Sequence, residues 1–185
     1  MKFKVNLTDI LTATLLVCMG VVLRLGLEDY PNVSPVAALA LLAGYILRGR
    51  VLALAVPLIV LTMSDLYFGG YDPKVMVSVY ALLALPALAG RSLNNFHQNQ
   101  KSPALSVASV GATGLGFSVL FFLGTNLAVW SSSSFYPMNL TGLLECYTAA
   151  LPFFRQTILG DMIFVSLFFG SYAMGKVWLT SKADQ

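Results

Sequence analysis

Long apolar runs dominate this chain, and Arg24, Asp65, Arg155 and Asp161 sit inside them or at their mouths. A chain that is 57% hydrophobic and 10% charged, with mean hydropathy +0.78, cannot wrap an apolar core in a charged surface. It suits a helical bundle whose outside faces lipid. Soluble globular classes are thereby excluded. A charged side chain at the bilayer centre costs roughly 2.5–3.5 kcal/mol on insertion scales, so those four residues are expected to mark a site or a pathway.

Six apolar runs can be drawn, at about 9–27, 35–48, 51–68, 75–90, 104–130 and 152–180, within one integral membrane domain over 1–185. A span needs roughly 17–25 residues, so the second and fourth runs are short. Six spanning helices are the favoured reading, with five spans and one re-entrant segment as the fallback. Two lysines precede the first run, but it continues to about Leu27 without a small-residue cleavage pattern, so no signal peptide is expected.

Lysine and arginine set the orientation. With the N-terminus cytoplasmic and six spans, the inner side collects Lys2, Lys4, Arg48, Arg50, Arg91, Lys101, Lys176 and Lys182, while the outer loops hold Lys74. Both termini are then cytoplasmic, and the net charge of +3 needs no nucleic acid to explain it. Glu28, Asp29, Asp72 and Glu145 fall in outer connections, and the four charges within the runs lie in their outer halves. They share one face of the membrane.

The outer loops are rich in aromatic, proline and glycine residues, notably 30–35, 67–73 and the stretch 131–152. Loops of this kind are expected to cap a site, which brings Asn32, Tyr67, Tyr71, Trp130, Tyr136 and Tyr147 into consideration, with Tyr80 below them. Aromatic residues also anchor at membrane interfaces without any further role. Arg155 and Asp161 are about 240° apart around one helix and cannot pair with each other. Asp65 is a natural partner for Arg155 or Arg24, as a structural ion pair or as a ligand contact. Asn126, beside Thr125, wants partners from a neighbouring helix or a ligand. Pro152 suits the first turn of the last helix. Small residues four apart, Ala112 and Gly116, Ser166 and Gly170, Ser171 and Gly175, suggest close helix packing.

Enzymatic constellations are absent from the sequence. There is no HExxH, GxSxG, phosphate-cradling glycine loop or CxxC, and Cys18 and Cys146 have no metal-ligand spacing. His97 is expected in a polar inner loop, solvated. No catalytic residue, metal or cofactor is expected.

The segments 31–41, Ser64-Asp65-Leu66, Thr125-Asn126 through Trp130, Cys146-Tyr147 and Pro152-Phe153-Phe154-Arg155-Gln156-Thr157-Ile158-Leu159-Gly160-Asp161 together resemble a bacterial membrane family. That family is related to the S-components of energy-coupling factor (ECF) vitamin transporters, including the solitary cobalamin, BtuM-like proteins. The resemblance covers nearly the whole chain. It implies an all-α, six-transmembrane-helix, ECF S-component-like bundle in the bacterial cytoplasmic (inner) membrane, with cytoplasmic termini and a substrate pocket on the extracytoplasmic side. It also implies an energising transporter module as partner, but the Ala-xxx-Ala docking face is not evident, because Ala13 is followed at the fourth position by Val17. The cobalt-ligating cysteine of the cobalamin proteins is missing from 65–86, where Tyr67, Tyr71 and Tyr80 stand instead.

The expected function is uptake of a small vitamin-like nutrient. Arg24, Asp65, Arg155 and Asp161 would fix its polar groups, Asn32 and Asn126 would hydrogen-bond, and the tyrosines and Trp130 would stack on its ring. The alternatives are a cobalamin-specific solitary transporter and a structural or assembly membrane protein without transport activity.

Overall fold

The computed structural model describes residues 6–132 and 134–183, so Lys2 and Lys4 lie outside the described residues. Six helices follow one another: α1 (Leu7–Gly26), α2 (Val36–Ile46), α3 (Arg50–Phe68), α4 (Pro73–Asn99), α5 (Pro103–Ser132) and α6 (Leu140–Ala183). Five of them are long and apolar enough to cross a membrane, and α2 is shorter. The favoured picture of six full spans therefore needs correcting at α2. Its 11 residues rise only about 16 Å, roughly half of a hydrocarbon core.

In the connection before α2, residues 28–32 are exposed, and only its end is tucked in: Val33 packs against Gly160 of α6 and Pro35 is buried. Asn32 turns the chain there with φ of 64°, a left-handed conformation that asparagine tolerates and β-branched residues resist. Asn32→Val should therefore cost about 1–2 kcal/mol, whereas Asn32→Gly should keep wild-type thermal stability in detergent. Equal melting temperatures for the two variants would contradict this.

Apolar residues all round make α2 the buried centre. Eight of its eleven residues are buried, and Leu39, Ala40, Leu41 and Ala43 have 1% exposure or less. α1 and α3 run parallel beside it, as the pairs Gly20–Val60 and Arg24–Asp65 show. α4 crosses α2 where Gly44 faces the Ala87 backbone and Gly90 faces the backbone of Leu41 and Tyr45. α5 and α6 form a hairpin on the far side, with Leu115, Leu123, Leu159 and Leu167 exposed outward. Exposed apolar side chains on that scale fit a lipid-facing surface.

Helix ends differ from the expectation in two places. α4 continues through the polar stretch to Asn99 instead of ending near residue 90. His97 is consequently not in a solvated loop: its Nδ1 lies 3.0 Å from Tyr45 Oη and its Nε2 lies 2.8 Å from Ser109 Oγ. α6 starts at Leu140, where Asn139 accepts a hydrogen bond from the Gly142 amide as its cap. Pro152 is interior to α6, and Pro86 and Pro57 are interior to α4 and α3. Much of the expected 131–152 loop is therefore helix. At 44 residues α6 rises roughly 66 Å, about twice a bilayer core.

The small-residue pairs also behave differently from expectation. A β-carbon at Gly116, Gly170 or Gly175 would meet nothing, so those stripes do not pack within the chain. The close backbone approach is made by Gly44 and Gly90. Cys18 and Cys146 are both free thiols.

Candidate functional site

Four local decisions shape the end of the bundle that carries Asn32 and Asp65. Arg24 lies in the last turn of α1, where a cation complements the helix dipole. Asp65 lies one turn before the end of α3, which stops at Gly69 with φ of 87°, a backbone that favours glycine. Asp72 caps α4, accepting from the Lys74 and Val75 amides, with Pro73 at the first helical position. The α1–α2 connection then brings Asn32 and Ser34 to the cavity described below and packs Val33 against Gly160 of α6.

Arg24 and Asp65 pair, with Arg24 Nη2 donating to Asp65 Oδ1 at 2.8 Å. Their side chains are 18% and 6% exposed, so the pair staples α1 to α3 away from most of the solvent. Arg24 Nη1, Asp65 Oδ2 and Tyr80 Oη are sealed without a hydrogen-bond partner. Tyr71, in the α3–α4 loop, senses the same pair. Burial pushes its phenol up to about 12, with Asp65 adding to the rise and Arg24 opposing it. At neutral pH it is an uncharged hydrogen-bond donor.

Beside the pair is a cavity of about 320 Å³, lined by Arg24, Glu28, Asn32, Phe68, Phe121 and Asp161 among others. Asp161 is buried, and Ser118 Oγ donates to its Oδ2 at 2.6 Å. A second cavity of about 130 Å³ shares Asn32, Phe121 and Thr157 with the first. It adds Phe122, Thr125, Asn126, Phe153 and Phe154. The two adjoin along those three shared residues and are treated as one cleft, with the charged side chains at the first part and additional phenylalanines at the second. Phe122 and Phe154 stack there with centroids 4.3 Å apart.

Arg24, Asp65 and Asp161 thus converge as expected, with Asn32 between the two parts of the cleft and Asn126 at its aromatic end. The remaining candidates divide. Arg155 is exposed and makes no ion pair among the described residues, so it is not Asp65's partner. α6 turns it away from the face that carries Asp161. Tyr67 is exposed and packs edge-on against Phe68. Trp130 Nε1 donates to the Pro137 carbonyl and Tyr147 Oη to the Leu123 carbonyl, so both tie the α5–α6 hairpin together. Tyr136, like these three, lines neither part of the cleft. The Asn126 amide donates to Phe122 O in its own helix.

Phe121, Thr157 and Glu28 line the cleft and Ser118 holds Asp161 from behind it, and the sequence alone does not single them out. Ser118 and Phe121 had a usable signal. They sit about one turn apart on α5, Ser118 being polar in an otherwise apolar stretch.

Comparison with curated proteins and with solved structures finds no match. Residues 4–182 match a family of unknown function, and the chain belongs to that family, DUF6580.

Proposed function

We propose that the chain is a multi-pass membrane protein that binds a small vitamin-like nutrient in this cleft and carries it inward. The observation behind this reading is the cleft itself: a polar end at Arg24 and Asp161, joined through Asn32, Phe121 and Thr157 to an aromatic end. A concave, mostly apolar cavity with a few convergent polar groups is the usual form of a small-molecule site. The lysine and arginine distribution supports placing the cleft on the extracytoplasmic side of a bacterial cytoplasmic membrane, with both termini inside. The six-helix order and outward cleft suit an S-component-like bundle. In this scheme the α1–α2 connection and the α3–α4 loop rearrange to admit and release the nutrient.

A second reading is favoured by one observation. The Arg24–Asp65 pair joins two helices directly, which suits a structural protein whose charges lock the bundle. The two readings separate at Thr157, which lines both parts of the cleft and takes no part in the pair. Protein purified in mild detergent should release a defined metabolite by mass spectrometry. Thr157→Trp, which fills the throat of the cleft, should lower its occupancy at least about tenfold, and Arg155→Ala should leave it unchanged. Wild-type protein that carries no metabolite, and gains no thermal stability from any of a panel of vitamins, would favour the structural reading.

A further inference from the structure

We infer that the ligand of this cleft is a small organic cation with a flat aromatic or apolar portion. The inference rests on the nutrient-binding reading and specifies its substrate class. Charge is the starting point. Arg24, Glu28 and Asp161 are the charged residues lining the polar end. The positive charge of Arg24 is already neutralised by Asp65 at 2.8 Å, and its remaining Nη1 is sealed, so it offers little to an anion in the cavity. Asp161 is 6% exposed and lines the cavity, and the Arg24–Asp65 contact is the sole ion pair among the described residues. Its Oδ2 has Ser118, while its Oδ1 has no hydrogen-bond partner among the described residues. Glu28 stands exposed on the rim with the same sign.

A carboxylate in apolar surroundings is stabilised by a counter-charge or by taking up a proton, and no cation among the described residues forms an ion pair with Asp161. A cation arriving from outside would provide the counter-charge. Field lines from Glu28 and Asp161 within low-dielectric walls would draw that cation inward. The aromatic walls reinforce this choice. Phe68 and Phe121 line the polar end, and the faces of such rings attract cations. Beyond the throat, Phe122, Phe153 and Phe154 offer room for a flat ring. A molecule with its cationic group near Asp161 and its ring towards Phe154 would fill both parts.

Three probes of similar size test the charge: benzyltrimethylammonium, benzyl alcohol and phenylacetate, each titrated onto detergent-purified protein by calorimetry and thermal shift. The cation should bind at least about tenfold more tightly than the other two. Asp161→Asn, which keeps the side-chain shape, should weaken cation binding by about tenfold or more, and Glu28→Gln by about two- to threefold. Glu28 is exposed, so its variant remains informative even if Asp161→Asn is poorly folded. Tighter binding of benzyl alcohol or phenylacetate overturns the charge assignment, as does unchanged cation affinity in both variants. The nutrient-binding reading would survive those results if Thr157→Trp still abolished binding. Absence of binding by all three probes at millimolar concentration also overturns the charge assignment, and the co-purified metabolite then decides the wider reading separately.

Discussion

Arg24→Ala should destabilise the bundle by about 3–5 kcal/mol, the usual result of leaving a buried charge without its partner. Asp65 would keep a carboxylate that is 6% exposed, with Oδ2 already unpartnered and now Oδ1 unpartnered as well. The reverse change should be milder. Arg24 lies in the last turn of α1 and is 18% exposed, so without Asp65 its long side chain can extend towards water. Asp65→Ala should therefore cost about 1–2 kcal/mol less than Arg24→Ala, within the range of an unsatisfied buried group. Replacing both partners, Arg24→Met with Asp65→Leu, should recover most of the loss. Denaturation of all four proteins in one detergent makes the comparison. A cost below about 1 kcal/mol for Arg24→Ala is what an exposed ion pair would give, and it would remove the staple between α1 and α3.

The second large effect belongs to the crossing of α2 and α4. A β-carbon at Gly44 would meet the Ala87 carbonyl, and one at Gly90 would meet the backbone of Leu41, Gly44 and Tyr45. Backbone cannot rotate away as a side chain can, so the two helices would have to separate. Gly90→Ala should cost about 1–3 kcal/mol or more, and Gly90→Leu should abolish monodisperse protein in size-exclusion chromatography. Membrane helices associate chiefly by close packing, which makes this contact hard to replace. Gly116 and Gly175 supply the contrast. Nothing lies near their β-positions, so alanine there should be neutral or gain up to about 1 kcal/mol from helix propensity. Equal melting temperatures for Gly90→Ala and Gly116→Ala would mean that α2 and α4 do not touch in this way.

That contrast also shows where the sequence could be read and where it could not. Glycines and small residues four apart look alike on α4, α5 and α6, because spacing records a helix face and not its neighbour. The stripes at Gly116 and Gly175 point to open space, and the working contact is at Gly44 and Gly90. The start of α6 was misplaced for a different reason. Pro152 reads as a first-turn proline, but proline is tolerated inside membrane helices when neighbouring groups satisfy the freed carbonyl. The better signal was Asn139, whose side chain caps the helix 13 residues earlier.

Hydropathy alone determined that the chain is a helical bundle with helices long and apolar enough to cross a membrane, and the positions of charges along the runs placed Arg24, Asp65 and Asp161 towards one end. Both are local properties: each residue's environment follows from the run that contains it. Tertiary structure decided that Asp65 belongs to Arg24 and not to Arg155, that α2 is a short buried centre, that Phe121 and Thr157 line the cleft and that Ser118 holds Asp161. Those outcomes depend on the rotation of each helix about its axis and on which neighbour it meets. Rotation and neighbour choice are settled by packing between distant segments, such as the Gly44–Gly90 crossing, and no single run of sequence contains them.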